Sequence, residues 1–118
     1  MDSILITLKA MLGIQPDDTA FDMELIVHIN SIISILRQLG VSGGEHPINF
    51  IAGPKEKWGD VFPNARMELI KTFMYIRLRL LFDPPSSSAT ASAFENMAKE
   101  YEWRLNVEYE NDQNESEN

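Results

Sequence analysis

The sequence predicts an all-α fold in which four main helices form a small bundle. Apolar residues recur at helical spacing in four separate segments, a pattern typical of packed amphipathic helices. Glycine and proline break this spacing between residues 41 and 63, so we expect a long loop between the second and third helices. Five acids and no base fall in the last eleven residues, which is typical of a disordered tail. The chain is therefore predicted to be one helical domain, residues 1–107, followed by a flexible acidic tail, residues 108–118.

The first helix is predicted over residues 2–12. Asp2 or Ser3 fits its N-cap, because short polar side chains accept hydrogen bonds from the first free backbone N–H groups. Gly13 fits its end, where the backbone commonly takes a positive φ. The apolar side chains of the helix are expected to face the core.

The second helix is predicted to begin at a cap on Asp22, to run to Leu39 and to close at Gly40. One half of its helical wheel is apolar and the other half is mostly polar, as expected of a helix on the surface of a core. The apolar half contains Leu25, Ile26, Ile29, Ile32, Ile33, Leu36 and Leu39.

The long loop from Val41 to Pro63 carries the least regular pattern of the chain. Residues 48–51 fit a short strand and residues 55–62 fit a single helical turn. Loops of this length in compact domains are usually functional or disordered, and the bulky Trp58 and Phe62 favour order. We expect a protruding, ordered segment in which these two side chains contact a partner.

A central helix is predicted from Asn64 to Asp83, ending there because the following proline restricts the preceding residue. Apolar residues cover more than half of its circumference, and a helix apolar on most sides is packed on most sides. Arg77 falls inside the apolar arc, where it is expected to pair with a carboxylate. This pattern predicts two packing faces, one for the fold and one for a neighbouring molecule, with Arg77 between them.

The last helix is predicted over residues 89–107. Trp103 lies opposite its apolar stripe, and tryptophan is enriched among the residues that dominate protein interfaces. The stripe itself contains Phe94, Met97, Ala98, Tyr101 and Leu105.

Charge and composition exclude several classes of function. The formal net charge is −8, and no basic cluster of the kind that binds phosphate backbones is present. No apolar run approaches the roughly 20 residues that cross a bilayer, and the N-terminus lacks the pattern of a signal peptide. The chain has no cysteine, which excludes disulfides and cysteine metal sites. A soluble protein of a reducing cytoplasm is expected.

No residue pattern predicts catalysis, a cofactor or a metal site. His28 borders the apolar face of the second helix and His46 lies in the glycine-rich loop, and neither has a companion at ligand or catalytic spacing. Asp17, Asp18 and Asp22 lack the alternation of a calcium loop, so capping and solvation account for them better. We expect no enzyme.

Five segments together resemble small all-helical head–tail connector (adaptor) proteins of tailed bacteriophages. They are KAMLGI at 9–14, FDMELIVHINSIISILRQLGV at 21–41, the turn WGD at 58–60, YIRLRLLFDPPSSS at 75–88 and EYEWRLNV at 100–107. The resemblance covers all of the chain except the acidic tail. It implies a structural virion protein, made in the cytoplasm of the bacterial host and located at the head–tail interface of the particle.

The resemblance also implies partners and interface positions. Such proteins form a homo-oligomeric ring, typically a dodecamer, below the portal protein and above the next connector, stopper or tail protein, and DNA passes through the lumen without sequence-specific binding. The portal or neighbour interface is expected at Trp103, Arg104, Leu105, Asn106, Val107, Arg77, Trp58 and Phe62.

Two other interpretations of the sequence remain. A small helical adaptor or regulator of a host protein would use the same apolar faces in a one-to-one complex. A nucleic-acid-binding helical domain is less favoured because no basic face is present.

Overall fold

The computed structural model describes residues 3–41, 48–62 and 67–117, with side chains to residue 109. The chain is all-helical, as predicted. The described residues form five helices, namely α1 (Ile4–Met11), α2 (Asp22–Gln38), α3 (Trp58–Val61), α4 (Met67–Phe82) and α5 (Ser88–Glu117). The alternative cap Asp2, the loop histidine His46 and the predicted start of the central helix at Asn64 lie outside the described residues.

The end signals of the first helix are confirmed. The Ser3 hydroxyl accepts a hydrogen bond from the Ile6 N–H at 3.2 Å, which caps α1. Gly13 follows the helix with φ 80°, and Gly40 follows α2 with φ 96°, the left-handed conformation that glycine adopts without strain.

The sequence predicted Asp22 as the cap of α2, and this prediction was wrong. The cap position is Phe21, whose carbonyl accepts the Leu25 N–H at 2.9 Å, and Asp22 is the first helical residue. The Asp22 carboxylate lies 2.9 Å from Lys9 Nζ instead. A carboxylate is also favourable here, in the first turn, because the helix dipole is positive at this end.

Helix α4 lies between α2 and α5 and packs against both. The ring of Phe21, just before α2, meets that of Phe82 at the end of α4, with centroids 5.4 Å apart. Arg77 in α4 pairs with Glu102 in α5, and two residues later in α4 the Arg79 guanidinium lies 5.8 Å from the centre of the Phe94 ring, eight residues earlier in α5. Helices α2 and α5 therefore both run antiparallel to α4. The sequence predicted that the second apolar face of α4 would be left for a neighbouring molecule, but α5 of the same chain covers it.

One hydrophobic core joins all five helices. The core side chains of α2 and α4 recur at the helical spacing from which their burial was predicted. Side chains of α1 and of the 48–62 segment pack against them. The buried apolar residues include Ile4, Leu5, Leu8, Leu25, Ile29, Ile32, Ile33, Leu36, Ile48, Ile51, Trp58, Val61, Phe62, Ile70, Phe73, Met74, Leu78, Leu105 and Tyr109.

The described part of the long loop does not protrude, contrary to the prediction. Asn30 in α2 donates to the Ile51 carbonyl at 2.9 Å and accepts the Ile51 N–H at 2.8 Å, and Arg37 Nε donates to the Ile48 carbonyl at 2.8 Å. These bonds satisfy buried backbone groups that a strand ladder would otherwise serve. No strand forms over residues 48–51, whereas the predicted helical turn exists as α3.

The turn before α3 is organised by the Glu56 carboxylate. Its oxygens accept the Ala52 N–H at 2.7 Å and the Gly53 N–H at 3.2 Å. The hydrogen bond from Ala52 is the main cause that holds the pKa of Glu56 below its ordinary value of 4.5.

Replacing Glu56 with glutamine is expected to lower the free energy of unfolding at pH 7 by at most about 1 kcal/mol, since a partly exposed, charge-assisted bond is lost. A carboxyl group whose pKa is lower in the folded than in the unfolded protein stabilises the fold at a pH above its unfolded pKa. This stabilisation is lost as the pH falls through the pKa of the folded protein. The difference from the wild type should therefore shrink below pH 4. Urea denaturation at pH 7 and pH 3.5 measures it, with the exposed Glu95→Gln as control; a difference that persists at pH 3.5 would contradict this role.

Candidate protein–protein interface

The most exposed part of the predicted interface is the C-terminal half of α5. The Trp103 side chain is 67 % exposed, as its position opposite the stripe predicted. With Leu69 of α4 and with Arg104, Val107 and Glu108 of α5, it lines an open surface groove of about 330 Å³. The structure thus brings three predicted residues, Trp103, Arg104 and Val107, to one site and adds Leu69 from the neighbouring helix.

Two residues of the same predicted run face elsewhere. Leu105 is fully buried in the core, and Asn106 donates from Nδ2 to the Leu39 carbonyl at 3.2 Å, at the C-terminal end of α2. Five successive residues of a helix point all around its axis, so residues 103–107 cannot all reach one partner surface. Leu105 and Asn106 hold α5 against the bundle, while their neighbours line the groove.

Arg104 is held in place from its own helix. Its Nη2 lies 3.0 Å from a carboxylate oxygen of Glu100, one turn earlier, and its guanidinium lies 5.5 Å from the centre of the Tyr101 ring. An exposed pair of this kind contributes little to stability. It does keep the guanidinium at the edge of the groove, where a partner can compete for it.

Arg77 lies inside the molecule's own helix–helix contact. It pairs with the carboxylate of Glu102, as a pairing of this kind was expected, and its guanidinium lies 5.8 Å from the centre of the Phe73 ring. Its side chain is 30 % exposed, so only part of it is open to another molecule. Contact of Arg77 with a neighbouring subunit stays a prediction.

Trp58 and Phe62 are core residues of this chain, with 4 % and 1 % of their surface exposed. Trp58 Nε1 donates to Thr7 Oγ1 at 3.1 Å, and Lys71 Nζ lies 5.3 Å from the Trp58 ring centre. Their burial explains the order of this segment without a partner. An interface role for either residue stays a prediction, and it would require the core to open.

An exposed apolar surface on α2 was not predicted from the sequence. Met23 is 84 % exposed and Val27 is 66 % exposed, one helical turn apart. Both fall on the polar half of the α2 wheel, and the signal that identifies them is the presence of large apolar residues on that half. Isolated exposed apolar residues need no explanation, but a pair on one ridge is a candidate contact.

The role of Lys9 was not predicted either; Lys9 is a buried charge with 1 % of its surface exposed. Its Nζ donates to the carbonyls of Pro16 at 3.2 Å and Asp18 at 2.6 Å, in addition to its pair with Asp22. Two of these three acceptors are backbone atoms, which leave no residue-type signal in a sequence. Lys9 ties α1 to the loop and to the start of α2, and its role is structural.

Searches for other kinds of site gave no candidate in the described part of the chain. No group of three or more histidine, cysteine or acidic side chains there lies close enough to hold a metal ion. None of the helices in residues 3–41, 48–62 and 67–117 combines the length and the apolar character that a membrane span needs.

A family model described as phage connector protein matches residues 4–112, nearly the whole chain. No curated protein and no solved structure matches.

Proposed function

This chain belongs to the phage connector protein family, and on that premise we propose that its copies form a ring between the portal and the tail that continues the DNA channel. A member of this family is a structural component of the phage particle in contact with portal or tail proteins. The proposed ring has twelve copies, the number that the resemblance implies. Its tail side would meet the next connector, stopper or tail protein.

The observation that carries the proposal is the groove beside Trp103. A tryptophan that is 67 % exposed, next to Leu69 and Val107, is costly to leave in water and gains most when a partner covers it. Trp103 and the exposed Arg104 are of the residue types that dominate interface energies. We assign this groove to the portal.

The charge of the chain supports a role around DNA rather than on it. An acidic surface repels the phosphate backbone, so a strand in transit would not adhere to the lumen. Three of the nine described Lys and Arg side chains are also paired with carboxylates: Lys9 with Asp22, Arg77 with Glu102 and Arg104 with Glu100.

Replacing Trp103 with alanine is expected to weaken attachment to the portal at least tenfold, because a central aromatic anchor typically contributes about 2 kcal/mol or more. The helical circular dichroism spectrum should not change, since the side chain is mostly in solvent. Co-sedimentation with the purified portal protein measures the attachment. Leu81→Ala, a change at an exposed apolar residue at the other end of α4, is the matched control.

Unchanged attachment of the Trp103→Ala variant would remove the groove from the portal interface. A protein that stays monomeric and ignores the portal, by light scattering and co-sedimentation, would contradict the ring itself. A stoichiometric host protein in a pull-down without phage proteins would favour the alternative, a helical adaptor or regulator of the host.

A further inference from the structure

A second exposed surface of the molecule carries no charge, and it lies on α2. We call Met23, Val27, Ser31 and Gln38 the α2 ridge, because they are exposed and follow one line along the helix. The ridge contains no charge, and Glu24 beside it lies 3.8 Å from His28 Nε2. An uncharged ridge with Met23 and Val27 strongly exposed is unusual for a surface in water.

Helix α5 carries another exposed surface without charge. We call Ala89, Ala93, Asn96 and Met97 the α5 face; all four are exposed and uncharged, and Met97 is 39 % exposed. Because α4 packs between α2 and α5, the α2 ridge and the α5 face belong to the two outer helices of the bundle. Two different complementary surfaces on one molecule produce head-to-tail association, which closes into a ring when the rotation allows it.

The directions and heights of the helices agree with such a contact. Helices α2 and α5 are parallel, since each runs antiparallel to α4. Asn106 of α5 donates to the carbonyl of Leu39 at the end of α2, and Val27 and Ala93 lie 12 and 13 residues before these two positions, about 18 and 20 Å along the helix axes. A rotation about an axis along the helices therefore places the N-terminal half of α2 in one copy beside the N-terminal half of α5 in the next.

We infer that the α2 ridge of one copy packs against the α5 face of a second copy and forms the subunit contact of the ring. This inference rests on the proposed function and assigns it a surface. Large side chains at Met23 and Val27 would fill the space left by the small Ala89 and Ala93, as ridges fit grooves between packed helices. The Trp103 groove, about 9 Å further along α5 than Met97, stays open for the portal.

The absence of native cysteine allows a direct test. Two single variants, Val27→Cys and Ala93→Cys, are mixed in equal amounts and oxidised mildly, alone and in the presence of the portal. The expected result is mixed disulfide dimers well above the one-half of all dimers that random pairing gives. Predominant pairing of Val27→Cys with itself, random pairing, or no crosslink under conditions where wild-type copies assemble would overturn the inference.

A second variant separates loss of the contact from loss of the fold. Met23→Glu should weaken self-association at least tenfold and leave the helical spectrum unchanged, while Met11→Glu, at an exposed apolar residue of α1, should change neither self-association nor the spectrum. Wild-type-like assembly of Met23→Glu would also overturn the inference. If wild-type copies assemble on the portal but no Val27–Ala93 crosslink forms, this contact is wrong and the proposed function stands; if they neither assemble nor bind the portal, both are wrong.

Discussion

Replacing Lys9 with methionine is expected to lower the free energy of unfolding by about 3 kcal/mol. The change keeps the unbranched side chain to within one atom of its length but removes the ammonium group that serves the Asp22 carboxylate and the carbonyls of Pro16 and Asp18. Removal of one partner of a buried pair typically costs 3–5 kcal/mol, because the other charge is left without compensation. The lower end of that range applies, since the Asp22 side chain is 22 % exposed and water reaches it.

Thermal and urea denaturation measure this loss, which corresponds to a melting temperature about 10 °C lower. Lys99→Met is the matched control, because Lys99 is exposed on α5 and its replacement should change the stability by less than about 0.5 kcal/mol. Adding Asp22→Asn to the Lys9→Met chain should restore part of the loss by removing the orphaned charge. Equal stabilities of Lys9→Met and Lys99→Met would show that the Lys9 contacts contribute nothing.

The sequence was sufficient to predict the helices because their signals are local. The apolar spacing of α2 and α4, the cap at Ser3 and the glycines at positions 13 and 40 each act within one or two turns of the chain. The carboxylate partner of Arg77 was predicted for the same reason, since a charge inside an apolar arc needs compensation. That the partner is Glu102 depends on how α5 packs against α4, which local patterns do not contain.

The packing of the 48–62 segment on the core was not predicted, because its contacts are distant in sequence. Bonds from Asn30 to Ile51 and from Arg37 to Ile48 span 21 and 11 residues, and the bond from Trp58 to Thr7 spans 51. Aperiodic segments with bulky apolar residues fit either a buried loop or a docking loop, and only these contacts distinguish the two. The same reasoning applies to the predicted interface. The exposure of Trp103 could be predicted because it depends on helix geometry alone, whereas the burial of Trp58 could not, because it depends on tertiary packing.

The predicted end of the last helix was also wrong, for a reason visible in the sequence. The backbone of α5 continues through the acidic segment to Glu117, whereas the sequence predicted an end at Val107 and a disordered tail. Tyr109 follows Leu105 by four residues and therefore continues its apolar stripe. Both side chains are buried, and Tyr109 lies against Gly40 after the end of α2. Acidic composition suggested disorder, but the stripe extends past the point where the acids begin.

Replacing Tyr109 with alanine is therefore expected to lower the free energy of unfolding by about 3 kcal/mol, the typical cost of emptying a buried aromatic site. A chain that ends after Val107 should lose at least as much, because it lacks Tyr109 altogether. A chain that ends after Glu110 keeps Tyr109 and its buried contact and should stay within about 0.5 kcal/mol of the full-length protein. Urea denaturation of the three variants measures these differences.

The two truncations distinguish a helix that belongs to the domain from a detachable tail. If residues 108–118 formed an independent tail, both shortened chains would be equally stable, and the role assigned to Tyr109 would be wrong. The outcome also bears on the groove, because Val107 and Glu108 line it directly before Tyr109. Loss of the Tyr109 contact should loosen this part of α5 and weaken portal attachment even though Trp103 is retained. The boundary of the domain and the integrity of its proposed interface thus depend on the same side chain.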